Sequence, residues 1–175
     1  MSAVTKVTHS SSFEANEYIV YPAHGVGQIT AIEKQSVVGH ELELFVIHFE
    51  KDKMDVKVPV LKALSSGMRK LADDKEIKRA LKVLTGRSRI KKTMWSRRAQ
   101  EYDSKINSGS LTTVAEVVRD LYRTETQNEQ SYSEKQIYEV AFSRMMQEIS
   151  AVYDITMDEA KKLIEDNLTV EDETL

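Results

Sequence analysis

The chain has 175 residues, of which 41% are apolar and 30% charged, and a formal net charge of −3 at pH 7, as is typical of a globular protein with one large or two small domains. Cysteine is absent, so disulfides, thiolate zinc sites and cysteine nucleophiles are excluded, and a reducing compartment such as the cytoplasm is expected. No apolar run approaches the roughly 20 residues that a membrane-spanning helix needs, so we expect no membrane association.

The two ends of the chain are predicted to be disordered. The segment through Ser12 is polar and lacks the apolar stretch of a secretory signal, so we expect a disordered arm over residues 1–13. Residues 169–175 include Glu171, Asp172 and Glu173, and we expect an acidic disordered tail there.

Residues 14–68 have the pattern of short antiparallel strands. An aromatic and β-branched run from Tyr18 to Tyr21 ends before a proline and a glycine. A hairpin turn is predicted around Val38-Gly39-His40, because glycine adopts positive φ at low cost. Apolar and charged residues alternate from Met54 to Pro59, which favours a half-buried strand. Together these segments predict a small curled antiparallel sheet or barrel.

From residue 69 to 168 the apolar residues recur with helical spacing, which predicts a bundle of about five helices. Polar residues that can cap helix starts precede these segments, namely Thr93, Ser110, Ser133 with Gln136, and Thr156 with Glu159. The chain is therefore predicted to be an α+β protein, with an N-terminal antiparallel sheet and a C-terminal all-α domain.

The segment from Lys78 to Arg98 is strongly basic within an acidic protein. It contains no Asp or Glu and includes the only tryptophan, Trp95. Its cations are Lys78, Arg79, Lys82, Arg87, Arg89, Lys91, Lys92, Arg97 and Arg98. Such a stretch indicates a surface for a polyanion, and an aromatic ring within it can stack on or wedge between bases. A solvated basic surface with a buried tryptophan fits the same pattern, and composition alone leaves both interpretations open.

Motifs for catalysis and metal binding are missing from the sequence. No phosphate-cradling glycine loop, Gly-x-Ser-x-Gly elbow or His-Glu-x-x-His helix occurs. The four histidines, at positions 9, 24, 40 and 48, do not have metal-ligand spacing. We therefore expect no enzyme activity, no metal or other cofactor and no small-molecule substrate.

A tryptophan–arginine motif is followed, after a turn, by a second helical motif. The first is Trp95-Ser96-Arg97-Arg98 and the second runs from Ala115 to Tyr122, with the sequence AEVVRDLY. In the strand half, the segments VYPAHGVG (Val20 to Gly27) and VKVP (Val56 to Pro59) lie at fitting positions. In this order the motifs resemble the bacterial CarD/CdnL family of transcription regulators, over about residues 14 to 168.

The resemblance implies two domains with different partners. A Tudor-like domain over residues 14–68 would bind the β subunit of RNA polymerase. A helical domain over residues 69–168 would contact promoter DNA, largely without sequence specificity, at the upstream edge of the melted bubble. There the family's tryptophan wedges into the minor groove and stabilises the open complex. The protein would then be cytoplasmic and associated with the nucleoid through polymerase.

The resemblance also implies roles for particular residues. Trp95 falls on the wedge position, and the DNA-binding cations are expected to be Arg97, Arg98, Lys91, Lys92 and Lys135. Lys57 falls on a polymerase-contacting position and is flanked by Met54, Val56 and Pro59. The sequence departs from some family members at Gln100, where they have a further cation, and at Gln35, where they have an arginine.

Two other functions compete with this interpretation. The first is a Tudor-type protein-binding module without a promoter DNA role, in which Tyr18, Tyr21 and Phe45 form a ligand cage. The second is an enzyme related to transcription-repair coupling factors, which share the N-terminal module. That reading fails because no nucleotide-binding loop follows.

Overall fold

The computed structural model describes residues 13–108, 110–123 and 130–168, so the predicted arm up to residue 12 and the predicted tail at 169–175 lie outside the described residues. The strands are β1 (Tyr18–Tyr21), β2 (Gly25–Val37), β3 (His40–Phe49), β4 (Met54–Pro59) and β5 (Arg69–Lys70). The helices are α1 (Val60–Ser65), α2 (Asp74–Leu84), α3 (Trp95–Ile106), α4 (Leu111–Leu121), α5 (Tyr132–Tyr153) and α6 (Met157–Leu168). The predicted α+β class, with a sheet followed by helices, is confirmed.

The strands form one antiparallel sheet in the order β4-β3-β2-β1-β5, which leaves β4 at an edge. The predicted hairpin between β2 and β3 is confirmed. Val38 and Gly39 at its tip have φ values of 50° and 76°, as a two-residue turn between twisted strands requires. Arg69 and Lys70 pair with Val20 and Ile19, so the sheet continues two residues past the predicted domain boundary at residue 68.

The core of the sheet lies on the face that carries Phe45, Ile47 and Phe49, all of which are fully buried. Phe13 packs edge-on against Phe45, with ring centroids 6.1 Å apart, so its assignment to a disordered arm is wrong. Side chains of β3 lie close to the backbone of β2 at Gly27, where a Cβ would be 2.7 Å from Ile47 Cγ2. Only glycine, which has no Cβ, allows the β3 side chains to approach the backbone this closely.

The helical half has its own apolar core, and one side of α4 packs into it. Of the predicted caps, Ser110 accepts a hydrogen bond from Thr113 N, and the capping box of Thr156 with Glu159 forms with both reciprocal bonds. Two cap predictions are wrong. Helix α3 begins after Met94 without any side-chain cap, so Thr93 is not its cap. Helix α5 begins two residues earlier than predicted.

The cap of α5 is Ser131, whose Oγ accepts from Glu134 N at 3.3 Å. Ser133 and Gln136 therefore lie within the helix instead of forming a capping box at its start. None of the helices described here is both long enough and apolar enough to cross a membrane.

Candidate functional site: a basic helix start and an exposed sheet edge

The basic segment between α2 and α3 is held in place by a buried carboxylate. Asp120, on the last turn of α4, is 2% exposed. Its Oδ1 accepts hydrogen bonds from Arg89 N and from Arg119 Nε, both at 2.9 Å, and its carbonyl oxygen accepts from Ser88 Oγ at 2.9 Å. Because a buried carboxylate is costly unless donors surround it, these bonds specify the path of the segment.

Asp120 was not among the residues that the sequence indicated as functional. The available signal is its position on α4, where it lies next to Leu121 and three residues after Val117, both fully buried. A charged residue in that place predicts an internal partner, although periodicity alone does not identify the partner.

Trp95 is the first residue of α3 and is half-buried. One side of its ring packs against the helical core, with the indole 6.3 Å from the ring of the buried Tyr102. The preceding residue, Met94, is 74% exposed. The tryptophan is therefore neither a core residue nor a free surface ring: part of it is anchored and part is open to a ligand.

Arg98 lies one turn after Trp95 on the same side of α3. Its guanidinium carbon is 5.3 Å from the centroid of the Trp95 ring and 5.9 Å from that of Tyr102. Its Nε is buried and has no hydrogen-bond partner within the described ranges. Cation–π contact with two rings stabilises this placement, so Arg98 is held against the tryptophan instead of extending freely into solvent.

The other predicted DNA-binding cations near Trp95 are exposed. In the described part of the chain, neither Arg97 nor Lys92 forms an ion pair, and the first turn of α3 contains no acidic residue. Lys91 Nζ lies 2.8 Å from Glu101 Oε1, and this hydrogen bond raises the pKa of Lys91 and lowers that of Glu101. An exposed pair of this kind is weak because solvent screens it, so a phosphate can compete for the lysine.

Lys135 is exposed in the first turn of α5 but is not part of this cluster. The neighbouring residues Gln136 and Ile137 line a cavity together with Ile106 and Asn107, at the end of α3 opposite Trp95. At 1.5 Å per residue, this places the start of α5 roughly 15 Å along α3 from the tryptophan. The structure therefore brings Trp95, Arg97, Arg98, Lys91 and Lys92 together and leaves Lys135 apart.

The predicted polymerase-contacting residues lie on β4, which pairs with β3 alone among the described strands. Lys57 and Pro59 face outward, and Lys57 Nζ is 3.1 Å from Glu33 Oε2 on β2. Met54 and Val56 have the opposite orientation and pack against the core of the sheet. Of these residues only Lys57 has an exposed charge, while Met54 and Val56 anchor the strand to the core of the sheet.

A second polar cluster lies at the start of the same edge strand. His48 Nδ1 is 2.7 Å from Asp55 Oδ1, and His48 Nε2 is 3.0 Å from Glu50 Oε2. The hydrogen bond with Asp55, followed by that with Glu50, raises the pKa of His48 above its ordinary value. The cluster joins β3 to β4 at the point where the edge strand begins.

The ligand cage proposed for a Tudor-type module does not form. Phe45 is fully buried in the sheet core, whereas Tyr18 is 50% exposed. Tyr21 stacks on His24, with ring centroids 5.7 Å apart. The prediction of a cage is wrong because Phe45 belongs to the covered face of β3. Among the residues described, no cluster of three or more His, Asp or Glu side chains could hold a metal ion.

Comparisons with known proteins agree with this architecture. Residues 13–72 match the family model described as the CarD-like/TRCF RID domain, and residues 79–165 match that of the CarD C-terminal domain. The chain is also 30% identical over 149 residues to the "Putative transcription factor YdeB" of Bacillus subtilis (strain 168), a match that covers 85% of this chain and 97% of that protein. The chain therefore belongs to the CarD-like family of transcription factors, with an RNA polymerase-interacting domain followed by a CarD C-terminal domain.

Proposed function

We propose that the protein binds the β subunit of bacterial RNA polymerase through β4 and stabilises promoter open complexes through Trp95 and the cations around it. The observation that carries this proposal is the partly exposed Trp95 at the start of α3, beside the exposed Arg97 and Lys92. The protein as a whole is acidic, so a local cluster of cations at an aromatic ring favours a nucleic-acid ligand over a general surface charge.

The position of Trp95 suits a wedge. Its inner side is anchored on Tyr102 and its outer side is open, so the ring can press on a base step without being displaced itself. Partial unstacking of an intact duplex costs a few kcal/mol per step, and less where the duplex is already melted. The ring therefore interacts more favourably with the edge of a bubble than with closed DNA. Stabilising one state in this way shifts the equilibrium without catalysing a reaction.

The cations supply affinity without reading sequence. Arg97 and Lys92 can contact phosphates directly, and Lys91 can exchange Glu101 for a phosphate. The start of α3 adds the positive end of a helix dipole and backbone N–H groups. Lys135 lies farther along the same domain, where it would contact a more distant phosphate or none.

The edge strand suits a protein partner. The outer backbone groups of β4 are free of pairing within the described sheet, so a strand of the partner can add to this edge. Lys57 beside that edge would face an acidic group of the β subunit and set the register of the contact. The protein would then act in the cytoplasm, at the nucleoid, wherever polymerase holds melted promoter DNA.

A fluorescent base analogue at the upstream edge of the bubble tests the wedge directly. We expect the full-length protein to increase the emission of the analogue in a polymerase–promoter complex, because an unstacked base is less quenched. Trp95→Ala should bind the complex without this increase. Equal emission with the wild type and Trp95→Ala would contradict the proposal, and Ser96→Ala, an exposed neighbour, serves as the matched control.

A further inference from the structure

A buried ion pair joins the sheet to the helical half. Glu148 on α5 is 2% exposed, and its two oxygens accept hydrogen bonds from Arg69 Nη1 at 2.8 Å and Nη2 at 2.7 Å. The same carboxylate accepts a third bond, from Ala72 N at 2.8 Å. Arg69 belongs to β5 and is paired with β1, so the contact ties α5 to the backbone of the sheet.

A second contact lies one helical turn away. Arg144, also on α5, donates from Nη1 to Pro22 O at 2.5 Å and from Nη2 to Ala23 O at 3.0 Å, in the turn between β1 and β2. The turn approaches the helix so closely that a Cβ at Gly25 would lie 3.2 Å from Arg144 Cδ. Gly25 has a φ of +83°, so both space and backbone conformation favour glycine there.

The two sides of α5 thus have different tasks. Ala141, Met145 and Ile149 are fully buried in the core of the helical half. Arg144 and Glu148, which are four residues apart, form a separate stripe toward the sheet. The first side packs into the core of the helical half, whereas the second side contacts the sheet and its β1–β2 turn.

We propose that Glu148 and Arg144 are positioning residues, which fix the orientation of the start of α3 relative to the docking edge β4. This inference rests on the proposed function for its consequence, but the orientation itself can be measured without polymerase or DNA. The cost of desolvation offsets much of the attraction in a buried ion pair, so the net stability that this pair adds is small and its contribution here is geometric. The bidentate bond to Arg69, with the third bond from Ala72 N, leaves little rotational freedom between the two halves.

The fixed orientation matters for the contact that Trp95 makes with DNA once the protein is bound to polymerase. Once β4 is bound to polymerase, a fixed orientation keeps Trp95 at one place near the bubble. A loose connection would spread the ring over many places and lower its effective concentration at the DNA. Pre-organisation of this kind strengthens the linked contact without adding any new one.

The absence of cysteine makes the orientation measurable. Cysteines introduced at Leu61 on α1 and Lys162 on α6, both exposed, can carry two spin labels without background labelling. We expect one narrow distance distribution for the otherwise unchanged protein and a broad one for Glu148→Gln. Glu139→Gln, an exposed change on the same helix, should keep the narrow distribution. A narrow distribution in the folded Glu148→Gln protein would overturn the inference.

A second pair of variants covers the case in which Glu148→Gln does not fold. Arg144→Gln removes the contact with Pro22 and Ala23 from a partly exposed position. The double change Arg69→Met with Glu148→Gln removes the ion pair without leaving an unpaired buried charge. Each should broaden the distribution while leaving the helical circular dichroism signal intact. Unchanged distributions in both of these variants would likewise overturn the inference.

The lifetime of open complexes separates this inference from the proposed function. A folded variant with a broad distribution should retain binding to polymerase but shorten the lifetime gained from the protein by about tenfold, which is a modest part of the 10²–10⁴-fold gain that linked contacts can give. A broad distribution with an unchanged lifetime would overturn the positioning role. If the wild-type protein does not lengthen the lifetime at all, the proposed function fails. A broadened distance distribution in the variants would still show that these contacts fix the orientation of the two halves.

Discussion

The guanidinium of Arg98 lies over the indole of Trp95, with 5.3 Å between the Arg98 Cζ and the ring centroid. The two residues are one helical turn apart, and the Tyr102 ring lies beside the Trp95 ring, with its centroid 5.9 Å from the same guanidinium carbon. This arrangement changes the expected role of Arg98. Its cation acts first on the orientation of the tryptophan, and its remaining N–H groups are the ones available to a phosphate.

Arg98→Ala should make the Trp95 ring more accessible to a small quencher. Because the protein has one tryptophan, quenching of its intrinsic fluorescence by acrylamide reports on this ring alone. Arg98→Lys should also increase quenching, since an ammonium keeps the charge but does not stack as a flat guanidinium does. Arg97→Ala is the matched control and should leave quenching unchanged. Wild-type quenching in Arg98→Ala would mean that the contact does not position the ring.

Trp95→Ala should lower the free energy of unfolding by about 1–2 kcal/mol. Truncating a fully buried tryptophan costs about 3–5 kcal/mol, and only part of this ring is covered. Denaturant unfolding followed by circular dichroism measures the loss. Tyr102→Ala, at a buried neighbour on the same helix, should show the larger cost. A loss as large as that of Tyr102→Ala would assign Trp95 to the core and remove the basis of the wedge.

Lys57→Glu should weaken association with RNA polymerase about tenfold or more while leaving the fold intact. The lysine is exposed and its ion pair with Glu33 contributes about 0–1 kcal/mol, so the reversed charge acts mainly on the partner. The double change Lys57→Glu with Glu33→Lys restores an ion pair within the sheet. If polymerase binding returns in this double variant, Lys57 serves the sheet and does not contact the partner directly.

The cluster around His48 should make the stability of the sheet depend on pH. Hydrogen bonds with Asp55 and Glu50 raise the pKa of His48 in the folded protein above its unfolded value. The protonated ring therefore stabilises the fold fully below the ordinary histidine pKa of about 6.5, and this contribution is lost as the pH rises through the folded pKa.

Asp55→Asn tests this dependence. The difference in unfolding free energy between the wild type and Asp55→Asn should be largest below the ordinary histidine pKa of about 6.5 and should shrink as the pH rises through the raised folded pKa of His48. Titration of the His48 ring followed by NMR should show a lower pKa in Asp55→Asn than in the wild type. A difference that grows with pH would contradict the assigned cause.

The local patterns of the sequence were sufficient to predict the elements that carry the site. Alternation from Met54 to Pro59 predicted β4, and the glycine at position 39 predicted the hairpin. A cap expected at Thr93 predicted a helix with Trp95, Arg97 and Arg98 in its first turns; α3 does begin at Trp95, although Thr93 does not cap it. These features depend on neighbours a few residues apart, so they can be read from the chain alone.

The contacts that shape the site join residues far apart in the chain. Asp120 binds the backbone of Arg89, and Glu148 binds Arg69, over separations of 31 and 79 residues. The sequence position of neither carboxylate identifies its partner, because the tertiary packing decides which residues meet. The same reason explains the failed cage, since only the three-dimensional fold shows that Phe45 belongs to the covered face of β3.

The lifetime of promoter open complexes tests the central claim most directly. Preformed complexes of polymerase and promoter are challenged with a competitor, and their decay is followed with the wild type, Trp95→Ala or Lys57→Glu. The wild type should lengthen the lifetime. Trp95→Ala should bind polymerase without lengthening it, and Lys57→Glu should fail for lack of binding. A lifetime with Trp95→Ala equal to that with the wild type, at matched occupancy of polymerase, would contradict the proposed role of the tryptophan.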